Sequence, residues 1–243
     1  MAARVVVAFA VASAMFVAVS GQKFNAIFSF GDSMSDTGNL CVNGPPAGLT
    51  LTQPPYGETF FGRATCRCSD GRLVVDFLAE KFGLPLLPPS KRGGSDFRRG
   101  ANMAIIGATT MDSGFFQSLG IGDKIWNNGP LNTQIQWFQQ FMPSICGSSC
   151  KTYLSKSLFV LGEFGGNDTT RSWFSTNLRA CCGAGGGKYN YQNGARCGMS
   201  GAYACSNPSS SLSWDGIHLT EAAYKQIADG WVNGPYCHPP IMP

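Results

Sequence analysis

Residues 28–40 read FSFGDSMSDTGNL, an apolar run that ends with Ser33 between aspartates and small residues. A serine hydroxyl becomes a nucleophile at neutral pH only when a base takes its proton. The chain contains 2 histidines, His218 and His238. His238 stands in the proline-rich stretch GPYCHPPIMP. His218 stands in WDGIHLT, three residues after Asp215, so one turn can present both side chains. Asp215 can then hold the Nδ1 proton of His218 and leave Nε2 to face Ser33, the logic of a triad. Two more polar turns follow apolar runs, Gly107-Ala108-Thr109 and Gly165-Gly166-Asn167-Asp168. Gly107 offers an unobstructed backbone N–H and Asn167 a side-chain amide. Such donors around a developing oxyanion contribute several kcal/mol, about 3 for one donor.

Each feature taken singly has a plainer explanation. Asp-Ser after a strand is often a turn, Asp-Gly is an ordinary turn pair, and a histidine before a helix is usually structural. Asp36-Thr37-Gly38-Asn39 is rich in capping residues, so Asp36 is expected to shape the turn after Ser33, and Asp32 to hold the serine loop. The weight lies in the combination, because every part falls at a strand end or just before the last helix.

The elements that must position these groups follow from periodicity. Phe24–Phe30 is a short buried strand. Asp70 is expected to cap a helix whose apolar face is Leu73, Val74, Phe77, Leu78 and Phe82, stopped by Gly83 and Pro85. A second strand is expected over Ala101–Ile106, and a helix through Leu131, Ile135, Phe138 and Phe141, stopped by Pro143. Ser157–Leu161 is a third strand. Alternating strands and helices imply parallel pairing, with ligands bound beyond the carboxyl ends of the strands. From Thr169 to Trp214 there is neither an apolar run nor a helical stripe; CCGAGGGKYNYQNG and NPSSS read as loop. The glycines there are not a phosphate loop, since Lys188 is followed by Tyr189. Order resumes at Thr220, a cap for a helix with Ala223, Ile227 and Trp231 on one face.

The whole chain has 243 residues, 44% apolar and 13% charged, with a net charge of +4. This suits one or two globular domains and gives no argument for nucleic acid. Residues 1–20 carry a basic start and an apolar run too short for the about 20 residues of a spanning helix. They read as a signal peptide, with secretion and no stable membrane insertion expected. The 10 cysteines suit an oxidising compartment, and their spacing suits no metal site.

FSFGDSMSDTGN resembles the first signature block of the GDSL esterase/lipase family, within the SGNH hydrolase superfamily and closest to its secreted plant branch. PYGETFFGRATCRCSDGRLVVDFLAE, DFRRGANMAIIGATTMD, SLFVLGEFGGND and SWDGIHLTEAAYKQIADGW extend the resemblance, in order, over nearly the whole mature chain. The resemblance implies a three-layer α/β/α fold with a parallel sheet. It implies Ser33, Asp215 and His218 as triad, and an oxyanion hole from the Ser33 and Gly107 N–H groups and Asn167. It implies no cofactor or metal, and a small-molecule, lipid or polysaccharide ester as substrate, the cell wall being one place of action. Trp126, Trp173 and Trp214 could stack on sugars, with core packing the plainer use.

Plant members of the family are longer between GGND and ACCG. A single domain over 21–243, shortened between 169 and 178, is therefore expected, with strands missing on one side of the sheet. That loss would expose an edge and apolar faces and remove support from the Asp215–His218 loop. The alternative is an inactive shortened relative, such as a carbohydrate-binding protein. Asn167-Asp168-Thr169 is the one N-x-[ST] sequence, and a glycan there would block the proposed amide.

Overall fold

The computed structural model describes residues 23–125, 128–164, 166–168 and 179–242. The expected signal peptide, the expected junction at 169–178, Gly165, Trp126 and Trp173 lie outside them.

Strand β1 (Ala26–Phe30) is buried along its whole length, as its apolar and aromatic sequence requires. Helix α1 (Val74–Lys81) follows a long loop, then β2 (Gly100–Asn102), the short helix α2 (Ser113–Ser118), α3 (Leu131–Ile145), α4 (Cys150–Leu154) and β3 (Ser157–Leu161). The strands form one parallel sheet in the order β2-β1-β3, with Phe28 opposite Ala101 and Phe159. Residues 179–220 are mostly irregular, with a two-residue antiparallel pair, β4 (Cys182–Gly183) and β5 (Tyr203–Ala204). Helix α5 (Glu221–Asn233) is the last regular element.

Alternation along β1 makes the layers. Ile27 faces a core shared with Leu73, Leu78, Tyr224 and Val232, so α1 and α5 cover that face. Phe28 and Phe30 face the opposite core, where Phe138, Phe141 and Tyr153 bring in α3 and α4. The result is helix, sheet, helix, as expected for an α/β fold.

Strand β3 lies at an edge of the sheet among the described residues. Among the described residues it has no partner beyond β1, and Phe159 and Leu161 are 43% and 67% exposed.

Three local expectations are corrected. The second strand is Gly100–Asn102 and not Ala101–Ile106; Met103 and Ile105 still donate to the carbonyls of Ser29 and Gly31, but the stretch is buried coil beyond them. Helix α3 passes through Pro143 and ends at Ile145, which proline permits near a helix end because only one internal hydrogen bond is lost. Asp70 does not cap α1. Asp76 does that work, accepting from the Leu73 N–H at 2.9 Å while paired on both oxygens with Arg67. Asp70 instead accepts from the N–H of Glu221 at 2.7 Å, so it caps the distant α5.

Candidate active site

Ser33 lies three residues beyond the end of β1, and this segment is gripped from the β3 side and by α3. The Asp32 N–H donates to the Glu163 carbonyl at 3.0 Å, continuing the β1–β3 ladder. Gln134, fully buried on α3, clasps Gly31: its Oε1 accepts from the Gly31 N–H at 3.0 Å and its Nε2 donates to the Gly31 carbonyl at 2.9 Å. Nothing in the local sequence marks Gln134, which reads as one more polar residue of an amphipathic helix.

The opposing loop is anchored independently. Thr220 caps α5 with its hydroxyl, and Asp70 adds its carboxylate from the α1 side. Arg72 pairs with Glu221 at 2.6 Å. Cys181 and Cys182 donate to the carbonyls of Ser213 and Trp214, and the Trp214 N–H donates to the His218 carbonyl, which closes the loop. Disulfides Cys181–Cys205 and Cys182–Cys197 hold that scaffold. Gly216, between Asp215 and His218, has φ +89°, a left-handed conformation that favours glycine. The expected loss of support for this loop is therefore met by α1, α5 and the disulfide-bound segment.

Between the two halves the side chains meet. His218 Nε2 is 2.9 Å from Ser33 Oγ, and Nδ1 is 2.7 Å from Asp215 Oδ2. Asp215 is saturated: Oδ1 accepts from the N–H groups of Ile217 and His218, and Oδ2 also accepts from the Tyr56 hydroxyl at 2.7 Å. Burial opposes its charge, yet these bonds and the neighbouring imidazole hold Asp215 down at about 2. Burial likewise opposes a charged His218, but the Asp215 carboxylate wins and holds the imidazole well above its ordinary range. The free thiol of Cys68 lines the same cavity as His218. Burial pushes that thiol up, so it stays neutral near pH 7.

The two other predicted residues share this place. Gly107 and Asn167 line one cavity of about 410 Å³ with Ser33, His218, Tyr56 and Cys68. Gly107 has φ +82°, again a conformation suited to glycine. Its loop is pinned by Asp36, whose carboxylate accepts from the N–H groups of Gly38, Asn39 and Leu40 and, across the chain, from Ile106. The turn-shaping part of that role is readable locally; the bond to Ile106 is not. Asn167 Nδ2 donates to the Ala108 carbonyl at 2.9 Å and, more loosely, to Asp32 Oδ2 at 3.3 Å. Its neighbour Asp168 accepts from the N–H groups of Thr110 and Met111. Burial raises both Asp32 and Asp36 to about 6 against their backbone hydrogen bonds.

Tyr56, Cys68 and Gln134 are the residues that sequence reasoning missed. Tyr56 stands in the quoted PYGETFF block, and that is the only signal that could have drawn attention to it. Trp214 is fully buried and packs edge-on against Tyr56 at 5.9 Å, which is core packing and not a sugar platform. Among the described residues there is no group of His, Cys, Asp and Glu suited to a metal, and no helix is long and apolar enough to cross a membrane. Eight of the cysteines form disulfides, with Cys68 and Cys237 free.

Comparison with known proteins gives a consistent result. The sequence profile of the GDSL-like Lipase/Acylhydrolase family matches residues 27–181. A GDSL esterase/lipase of Arabidopsis thaliana is 31% identical over 343 residues, covering 89% of this chain and 92% of the relative. The sinapine esterase of Brassica napus is 30% identical over 347 residues, covering 90% and 88%. Acetylajmalan esterase 1 of Rauvolfia serpentina is 29% identical over 326 residues, covering 85% of each. The matched span of 343 residues exceeds the 243 of this chain by 100, so the first relative carries at least that many residues inside the span with no counterpart here.

Proposed function

This chain belongs to the GDSL-like lipase/acylhydrolase family, and from that premise we propose that it is a secreted serine esterase working through an acyl-enzyme. The observation that carries the reading is the continuous relay from Ser33 Oγ through His218 to Asp215, at 2.9 and 2.7 Å. Ser33 attacks the ester carbonyl while His218 takes its proton. The oxyanion is received by the N–H groups of Ser33 and Gly107 and by the Asn167 amide, whose looser bond to Asp32 is the one to give way. His218 then protonates the leaving alcohol and activates water for deacylation. Asp215 keeps the imidazole oriented and balances its charge, and no cofactor takes part.

The esterases of Brassica napus and Rauvolfia serpentina support small-molecule esters as the substrate class, with lipid and wall acetyl esters as the wider range. Secretion is supported by the apolar leader at 1–20 and by the four disulfides. The length difference from the relatives supports a single domain shortened between residues 169 and 178.

Labelling with a fluorophosphonate probe tests the reading. We expect purified wild-type protein to be labelled and to hydrolyse short p-nitrophenyl esters, and Ser33→Ala to do neither. Folded wild-type protein that is neither labelled nor active would instead be the inactive relative.

A further inference from the structure

The cavity beside Ser33 is lined by residues of two kinds: Leu49, Leu51 and Ile106 contribute apolar surface, and Tyr191, Asn193 and Arg196 contribute polar surface. Arg196 is the one Lys or Arg among the described residues lining it. No ion pair or side-chain hydrogen bond engages its guanidinium among the described residues. The only carboxylate in the same lining belongs to Asp215, which already serves His218 and Tyr56. Arg196 is exposed, so its positive charge stands uncompensated on the solvent-facing part of the cavity lining.

Its backbone is held in place. The next residue, Cys197, is joined to Cys182, Arg196 bridges to Gly183, and the Ala184 N–H donates to the Ala195 carbonyl at 3.0 Å. The segment also seats on the triad loop: a Cβ on Gly216 would lie 2.5 Å from the Tyr191 ring. A guanidinium so placed presents a planar fork of donors that matches a carboxylate on both oxygens.

We propose that Arg196 determines specificity by recognising an anionic group, a carboxylate, on the ester substrate. The inference rests on the esterase reading above. The scissile carbonyl sits at Ser33, the apolar part of the ester lies along Leu49 and Leu51, and the carboxylate reaches the Arg196 side.

A matched pair of acetyl esters tests this: 4-acetoxybenzoate, which is anionic, and 4-acetoxybenzamide, which is neutral and nearly the same shape. For the wild-type enzyme we expect kcat/KM to favour the anionic ester by about tenfold, mainly through KM, as one charge pair near a protein surface can supply. Raising the salt should shrink that preference. Arg196→Gln should bring the ratio close to one, and Arg196→Lys should keep part of it. As a readout apart from turnover, 4-hydroxybenzoate should inhibit more strongly than 4-hydroxybenzamide, again only with Arg196 present. Equal rates on the two esters by an active wild-type enzyme, or an unchanged ratio in Arg196→Gln, would overturn the inference and leave the esterase reading intact. Failure to hydrolyse either ester, with no fluorophosphonate labelling, would bring down both.

Discussion

Tyr56 Oη donates to Asp215 Oδ2 at 2.7 Å, and the same oxygen faces His218 Nδ1 at 2.7 Å. Tyr56 and Asp215 are 159 residues apart in the chain, and the phenol and the imidazole thus share one acceptor atom. The phenol is buried against Trp214, so water cannot replace it cheaply. Tyr56 fixes the rotation of the carboxylate and takes up part of its charge.

Removing only this hydroxyl should therefore change catalysis more than binding. For Tyr56→Phe we expect kcat to fall about 10- to 100-fold, the value of a buried hydrogen bond to a charged group. KM should change little, because the ring stays. With the carboxylate charge no longer shared, His218 becomes harder to deprotonate, so the acid limb of the pH–rate profile should move to higher pH. A fall in kcat with an unmoved limb would make Tyr56 a packing residue only.

The resting imidazole sets the pH range. Asp215 holds His218 well above its ordinary range, and a protonated His218 cannot accept the Ser33 proton. We expect kcat/KM to climb through neutrality into the alkaline range as His218 deprotonates. In Asp215→Asn the limb should shift to lower pH while the rate falls about 10³- to 10⁴-fold. A profile already flat by pH 6 in the wild-type protein would contradict this electrostatic picture.

Stability should follow a different course. Asp32 and Asp36 are raised from 3.8 to about 6 in the folded protein. Their protonated forms favour folding, so the stability they contribute is full below pH 3.8 and is lost as pH rises through 6. Asp215, lowered to about 2, has the opposite sign: its contribution is present above 3.8 and is lost as pH falls through 2. We expect Tm to decline between pH 4 and 7, and Asp32→Asn to flatten that decline. Calorimetry across this window would show it, and a Tm that rises throughout would refute the assignment. Activity and stability therefore pull in opposite directions around neutrality.

The cap from Asp70 to α5 offers a test of how the triad is supported. Asp70→Ala should cost about 1 kcal/mol in folding stability, as the loss of a cap does. It should also slow fluorophosphonate labelling of Ser33, because His218 precedes the freed helix end. Unchanged labelling at lowered Tm would show that Thr220, the Arg72–Glu221 pair and the disulfide-bound segment hold the loop without this cap.

Much of this site was legible in the amino-acid order. Ser33 at a strand end, the Asp215–His218 spacing and the turns at Gly107 and Asn167 are short-range signals, because strand periodicity, turn chemistry and a three-residue separation are properties of neighbours along the chain. The layers of the sheet follow from the same alternation in β1. Tertiary structure decided the rest. That Asp70 caps α5 and not α1, that Gln134 clasps Gly31, that Asp36 reaches Ile106 and that Tyr56 and Arg196 enter one cavity are contacts between segments far apart in the chain. No local propensity encodes them, since a carboxylate or phenol takes whichever partner the packed layers and disulfides bring within reach. Residue types and spacing named the chemistry, and close packing of the folded layers selected the groups that surround it.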